Sequence, residues 1–454
     1  MKLVYGIKDK PSIPQLIIFG VQQLLAIMAA TLVVPLIING NANLSGEDAM
    51  STAAALFGAG VGTLVYVLFT RAKSPVFLGS SFAFIGSMTS AFAGAVSVAA
   101  GYAGLILGAV LAGLVYVIIA IIVKFAGVNW INKLMPAVVI GPTVAIIGLS
   151  LAGNAIGDLQ KANAGGDSRI AILCGIVTLI VTMICSTYGK KGVKLIPFII
   201  GILSGYALAA VLTLIGMATD NTALMISDFS PLTSLFADGF SINSIFTLPD
   251  FTFVTAFKGI KDIDFTYIST LIAAYVPVAF VVFAEHIADH KNISSIIEKD
   301  LLEDPGLSNT LLGDGVGSMA GAIFGGCPNT TYGESVACVA ITRNASVATI
   351  ITAAVMAIII SFFAPFVAFV NSIPSCVMGG VCMALYGFIA VSGLKMVQKV
   401  DLEKNRNLFV VSAILIAGIG GLSVSFGKVT ITTIACALIL GIVVNLILSK
   451  EKDN

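Results

Sequence analysis

The stretch 327–335, CPNTTYGES, decides how the rest of the chain is read. It sets a proline, a run of polar residues, a glycine and a glutamate between GSMAGAIFGG before it and VACVAI after it. A second acid, Glu285 in VAFVVFAEHIADH, is just as deeply embedded in apolar sequence. The surrounding composition explains why this matters. Of 454 residues, 58% are hydrophobic and 10% charged, and the mean hydropathy is +1.04. Soluble domains carry about 25% charged residues. Apolar stretches of about 20 residues recur throughout, each long enough to cross about 30 Å of hydrocarbon as a helix. The chain therefore reads as a polytopic membrane protein. The net charge of +1 offers no basis for nucleic-acid binding.

No cleavable signal peptide is expected, because the first apolar run (14–38) is longer than a signal h-region and reads as the first span. The 7 cysteines lie in or beside apolar segments without a CxxC pair, so they read as small packing residues. His286 and His290 are the 2 histidines of the chain, which argues against a metal site, and no cofactor is expected.

Fourteen candidate spans begin near residues 14, 51, 75, 97, 132, 169, 194, 265, 308, 328, 345, 373, 407 and 428. The positive-inside rule tests that count. With both termini cytoplasmic, 19 of the 24 basic residues fall in inner segments, including Lys2, Lys133, Lys194, Lys291, Lys395, Lys399, Lys450 and Lys452. The outer segments hold Lys161, Arg169, Lys258, Lys261 and Lys428. The expected fold is all-α and integral to the membrane, with fourteen transmembrane spans and both ends inside. A long outer loop over 218–264 carries no evident role.

The chain also resembles itself. MPAVVIGPTVAIIG (135–148) aligns with IPSCVMGGVCMALY (373–386), pairing Pro136 with Pro374, Val139 with Val377 and Gly141 with Gly379. The two copies run in opposite directions through the expected topology, as an inverted seven-plus-seven repeat requires. Such repeats place substrate near the midplane, where discontinuous helices meet. The third span pairs with the tenth, and both are interrupted. SPVFLGSSFAF (74–84) and CPNTTYGESVA (327–337) share a small residue, a proline, an extended polar stretch and a glycine. Pro328 is expected to open a half-helix. Gly79 and Gly333 are expected to permit a sharp turn or close backbone approach.

Within the spans the carboxylates are Glu285, Asp289, Asp314 and Glu334. An ionisable group at membrane depth costs about 2.5–3.5 kcal/mol on insertion scales and is a functional candidate by default. Asp289 follows Glu285 at i+4, on the same helical face. Acids without intramembrane Lys or Arg suit a cation or a neutral ligand presenting N–H donors. Backbone N–H groups at the broken helices would serve its acceptors, and Phe82 a flat wall. Together these describe a nucleobase, with an acid as proton carrier.

FAEHI (283–287), KDLLEDPGL (299–307), PNTTYGE (328–334), AITR (340–343), VMGG (377–380) and LGSSFAFI (78–85) closely resemble the nucleobase–ascorbate transporter family, in particular its bacterial uracil permeases. The resemblance runs over nearly the whole chain. It implies a core domain (14–127 and 262–370), a gate domain (130–218 and 372–449), proton-coupled uptake through the cytoplasmic membrane and a homodimer. It implies that Glu285 and Glu334 hydrogen-bond the base, that Gly333 and Phe82 contact it, and that Tyr386 lines the gate side. Proton coupling falls to Glu285, Asp289 and Glu334.

The chain departs from the family pattern in three places. Ser335 and Ala337 stand where the signature has Asn and Gly, which marks Ser335 as a candidate selectivity position. Gln23 stands in place of a His, and Asp289 replaces a His of uracil permeases, as in purine-type relatives. The expected function is uracil:proton symport, with a xanthine or other purine carrier as the alternative. A passive channel fits less well. An enzyme is not expected, since no nucleophile or metal constellation is present.

Overall fold

The computed structural model describes residues 3–127, 130, 136–237, 239–426 and 429–449. Lys2, Lys133, Lys428, Lys450 and Lys452 of the charge pattern, and Met135 of the first repeat copy, lie outside them. The first half carries α1 (Ile13–Asn41), α2 (Thr52–Phe69), β1 (Leu78–Ser80), α3 (Ile85–Gly94), α4 (Val98–Ala126), α5 (Ala137–Ser150), α6 (Ala152–Leu159), α7 (Ser168–Tyr188), α8 (Lys191–Leu195) and α9 (Pro197–Ala218). The second carries α10 (Thr252–Gly259), α11 (Phe265–Ile297), α12 (Leu307–Gly325), β2 (Asn329–Thr331), α13 (Gly333–Thr342), α14 (Val347–Ile360), α15 (Ala364–Asn371), α16 (Ser375–Val397) and α17 (Asn405–Ile419). A hairpin of β3 (Val424–Phe426) and β4 (Val429–Ile431) leads into α18 (Thr433–Leu448).

Among the described residues, 8 helices are long and apolar enough to cross a membrane, and shorter apolar helices accompany them. Polar caps mark several ends. Ser51 accepts from the Ala54 N–H at 3.2 Å, Ser97 from that of Ala100 at 3.1 Å, and Asp264 from that of Tyr267 at 2.6 Å. Each satisfies a donor that the first helical turn leaves open.

The helices sort into two packing groups. One joins α2, α4 and α12, with α1, α10, α11 and α14 around them. The other joins α5, α6, α7 and α16, with α9, α17 and α18. Small residues bring α2 and α12 together. A Cβ on Gly58 would lie 2.4 Å from the Gly321 carbonyl oxygen, and one on Gly62 would lie 2.7 Å from that of Gly317. Helices in lipid associate by such close packing, since the surrounding acyl chains are as apolar as leucine. The matched segments 136–148 and 374–386 form α5 and the first half of α16, which pack on each other. Pro136 and Pro374 are their N-caps.

The polar stretches form an antiparallel pair, Leu78↔Thr331, Gly79↔Thr330 and Ser80↔Asn329. Flanking bonds extend it, Ser81 N–H to Pro328 O at 2.9 Å and Tyr332 N–H to Phe77 O at 3.2 Å. Thr63 Oγ1 accepts from the Leu78 N–H at 2.9 Å, and Asn329 Nδ2 donates to Gly58 O at 3.1 Å. Extended backbone at this depth survives because protein groups complete its hydrogen bonds.

Three local expectations change. Pro328 opens no helix: it precedes β2, and α13 starts at Gly333. Gly79 makes no sharp turn but serves the close approach: it lies inside β1, where a Cβ would come within 2.5 Å of the Tyr332 ring. The segment 218–264, expected as a long loop, contains α10, which packs on α4. The cysteines are free, and those other than Cys185 are buried.

Candidate functional site

Between the two groups lies a cavity of ≈ 370 Å³, within the usual range for small-molecule sites. From the first group it takes Glu285 and Asp289 on α11 and Gly333 and Glu334 at the start of α13. From the second it takes Val144 on α5 and Leu385, Phe388 and Ile389 on α16. A narrower recess of ≈ 50 Å³ continues from it past Glu285, Gly333 and Glu334 to Phe82, Thr330 and Ile147. Five expected residues thus meet around one space: Phe82, Glu285, Asp289, Gly333 and Glu334.

The local sequence explains the convergence. Helical periodicity puts Asp289 one turn beyond Glu285, and Thr331 Oγ1 on β2 donates to its Oδ2 at 2.7 Å. That bond ties α11 to the strand pair. Tyr332, the N-cap of α13, supplies no capping side chain, so the first N–H groups of that helix stay open beside Gly333. The Tyr332 hydroxyl points away and donates to Ser80 O at 2.7 Å. A Cβ on Gly333 would find its nearest neighbour, Asp289 Oδ1, at 3.9 Å, so the glycine leaves open space at the helix start. Thr330 Oγ1, which lines the recess, and Ser81 Oγ are buried without a protein partner. Among the described residues, no other residue donates a hydrogen bond to the Glu285 or Glu334 carboxylate. Open acceptors, open donors and an aromatic wall share one enclosed space.

Two expected residues sit differently. Tyr386 is buried with its ring edge against Phe82 (centroids 5.9 Å apart, 76° between planes), behind the wall rather than on the cavity surface. Ser335 is fully buried and lines neither space. Its Oγ accepts from Gln23 Nε2 of α1 and from the Phe77 N–H at 3.1 Å, joining α1 and the approach to β1 onto α13.

A profile described as "Permease family" matches residues 14–426. The uracil permease of Bacillus caldolyticus is 36% identical over 450 residues, covering 98% of this chain and 95% of its own. That of Bacillus subtilis (strain 168) is 36% identical over 463 residues, covering 100% and 97%. That of Escherichia coli (strain K12) is 34% identical over 447 residues, covering 97% and 93%. The chain belongs to the nucleobase:cation symporter family of permeases. It is a multi-pass membrane transporter and not an enzyme. Among solved structures, the transmembrane domain of a cyanobacterial bicarbonate transporter, BicA, superposes with a TM-score of 0.62 at 14% identity, covering 97% of this chain and 99% of that one. Murine solute carrier 26 family member A9, an anion transporter in the inward-facing state, gives 0.63 at 10% identity, covering 97% and 69%. These two likenesses are of fold.

The permease also holds polar groups that the sequence placed less well. His286 and His290 are both fully buried on α11 with rings 4.0 Å apart. His286 Nδ1 lies 2.7 Å from Asp314 Oδ2 and its Nε2 3.0 Å from Thr310 Oγ1, tying α11 to α12. His290 Nε2 meets the Tyr66 hydroxyl at 2.6 Å, and that hydroxyl lies 2.7 Å from Ser74 Oγ. Asp314 is therefore a buried partner of His286, about two turns inside α12. Lys194, counted among the inner basic residues of the charge pattern, lines the ≈ 370 Å³ cavity together with the acids. Its position just before Pro197 at the head of α9 was the available signal.

Proposed function

We propose that this permease carries uracil across the cell membrane in symport with protons. The observation that carries the reading is the convergence of Glu285 and Glu334, from α11 and α13, on one cavity with carboxylates that no other described residue engages. Two carboxylates accept the ring N–H groups of the base, the open N–H groups at the start of α13 donate to a carbonyl, and Phe82 covers one face. Each such bond to a charged group contributes about 1.5–3 kcal/mol. Glu285, Glu334 and Asp289 are the proton-carrying candidates, because they are the carboxyl groups that line the cavity. The relatives named as uracil permeases support the choice of base.

In this reading α1–α4 and α11–α14 form a core body, and α5–α9 and α16–α18 a gate body. Alternating access is the movement of one against the other around the cavity. Fourteen spans in two inverted halves, interrupted at β1 and β2, fit the helix lengths and the packing of α5 on α16. Cytoplasmic termini and a homodimer complete the proposal. Labelled-uracil uptake into proteoliposomes, with and without an inward proton gradient and against excess xanthine, tests it. Uptake should accelerate with the gradient and resist xanthine. Uptake indifferent to the gradient removes symport, and strong competition by xanthine transfers the assignment to a purine.

A further inference from the structure

A second cavity, of ≈ 800 Å³, lies beside the substrate cavity and shares Ala288 and Met396 with it. Glu285, Asp289 and Glu334 take no part in its lining. Its wall is apolar, built from Ile140 on α5, Ile287 on α11 and Met396 on α16. Its rim is basic: Lys291 on α11, and Lys395 and Lys399 at the end of α16, all exposed. Among the described residues, no acid forms an ion pair with any of the three.

A solvated helix end accounts for part of this. Lys395 and Lys399 sit where a helix C-terminus favours cations. Lys291 does not, because it lies within α11, well before its end at Ile297. The three lysines come from two helices that face each other across the crevice, over a wall that a soluble anion would not need. The volume also far exceeds what a small anion fills. Charge over apolar depth matches a lipid: phosphate at the rim, an acyl chain along Ile140, Ile287 and Met396. Basic pockets between transmembrane helices hold anionic headgroups in this way.

We propose that this crevice binds an anionic phospholipid, with its headgroup on Lys291, Lys395 and Lys399. The per-lysine attraction to an anionic surface gives roughly a hundredfold preference over a zwitterionic lipid. Because α11 and α16 contribute from opposite sides, the bound lipid links the two packing groups and holds the crevice open. This occupant is independent of the transported base.

The test uses the purified full chain, exchanged from detergent into phosphatidylcholine nanodiscs with graded phosphatidylglycerol, with retained lipid counted by native mass spectrometry. Wild type should retain phosphatidylglycerol selectively. The combined variant Lys291→Gln, Lys395→Gln, Lys399→Gln should lose that selectivity, while Lys161→Gln, Lys258→Gln, Lys261→Gln should keep it. Ile287→Ser should weaken retention with the lysines intact, and soluble glycerol phosphate should not compete. Selectivity unchanged in the Lys291/Lys395/Lys399 variant overturns the proposal, as does full competition by glycerol phosphate. If the triple variant does not fold, Lys291→Gln alone carries the same reading with a partial loss expected, and no loss overturns it.

Discussion

Ser335 and Gln23 depart from the family signature at separate places in the sequence, yet they touch. The Ser335 oxygen takes bonds from Gln23 Nε2 and from the Phe77 N–H, in a position with no solvent access. Ser335→Ala removes the shared acceptor and leaves two buried donors unpaired. At about 1–3 kcal/mol for each, the loss should be about 2–6 kcal/mol, which lowers Tm by roughly 2–6 °C for a chain of 454 residues. Ser335→Asn, the family residue, instead adds atoms to a filled space and should cost about 1–3 kcal/mol. Adding Gln23→His, the other family residue, should recover at least about 1 kcal/mol of that cost, a coupling expected of side chains in contact. The assay is thermal unfolding of the detergent-purified permease for wild type, both single variants and the double, with uracil affinity measured alongside. The affinity of Ser335→Ala should stay near wild type, because Ser335 lines neither cavity. If Ser335→Ala keeps its Tm while uracil binds about tenfold more weakly, about 1.4 kcal/mol, Ser335 touches substrate and the scaffold reading fails. Additive effects of the two family substitutions refute the coupling.

Other consequences are as specific. Asp314→Ala should destabilise by about 1–3 kcal/mol, since it strips a buried hydrogen-bond partner from His286; Asp314→Asn should cost less, and equal Tm losses for the two would count against the pair. Gly62→Leu should separate α2 from α12 and abolish folded protein in size-exclusion chromatography, because the space is taken by the Gly317 backbone and Asn329. Thr331→Val should leave Asp289 without its strand partner and shift the pH profile of uptake, with little change in expression. Asp304, on the connection after α11, lies between Lys73 and Lys299, whose hydrogen bonds and charges hold its carboxyl below the usual carboxylate range. A lowered folded value means its contribution is present above the ordinary Asp value of about 3.9 and is lost as pH falls through the folded one. Wild type and Asp304→Asn should therefore differ by a small constant in Tm above about pH 5, and the difference should shrink as pH falls from about 4 through the lower folded value.

Much of the fold was legible because membrane helices advertise themselves by composition, and 58% hydrophobic residues leave few other readings. The convergence of Glu285 and Glu334 was legible for the same reason: acids are rare enough in such a chain that each one stands out. What periodicity could not give was pairing between distant segments. Nothing local marks Pro328 as the residue before a strand, since a proline suits a helix start equally well. The His286–Asp314 pair joins two helices through a contact that sequence separation hides. Ser335 drew attention because it replaces the Asn of the family signature, but as the helical neighbour of Glu334 it faces a different direction and points into the packing with α1.

The central claim is that Glu285 and Glu334 together hold the base. Its most direct test is calorimetric titration of uracil into purified wild type, Glu285→Gln and Glu334→Gln. Loss of one charge-assisted bond predicts a Kd raised roughly 10–150-fold in each variant, with Tm near wild type. A Kd unchanged in both would contradict the account.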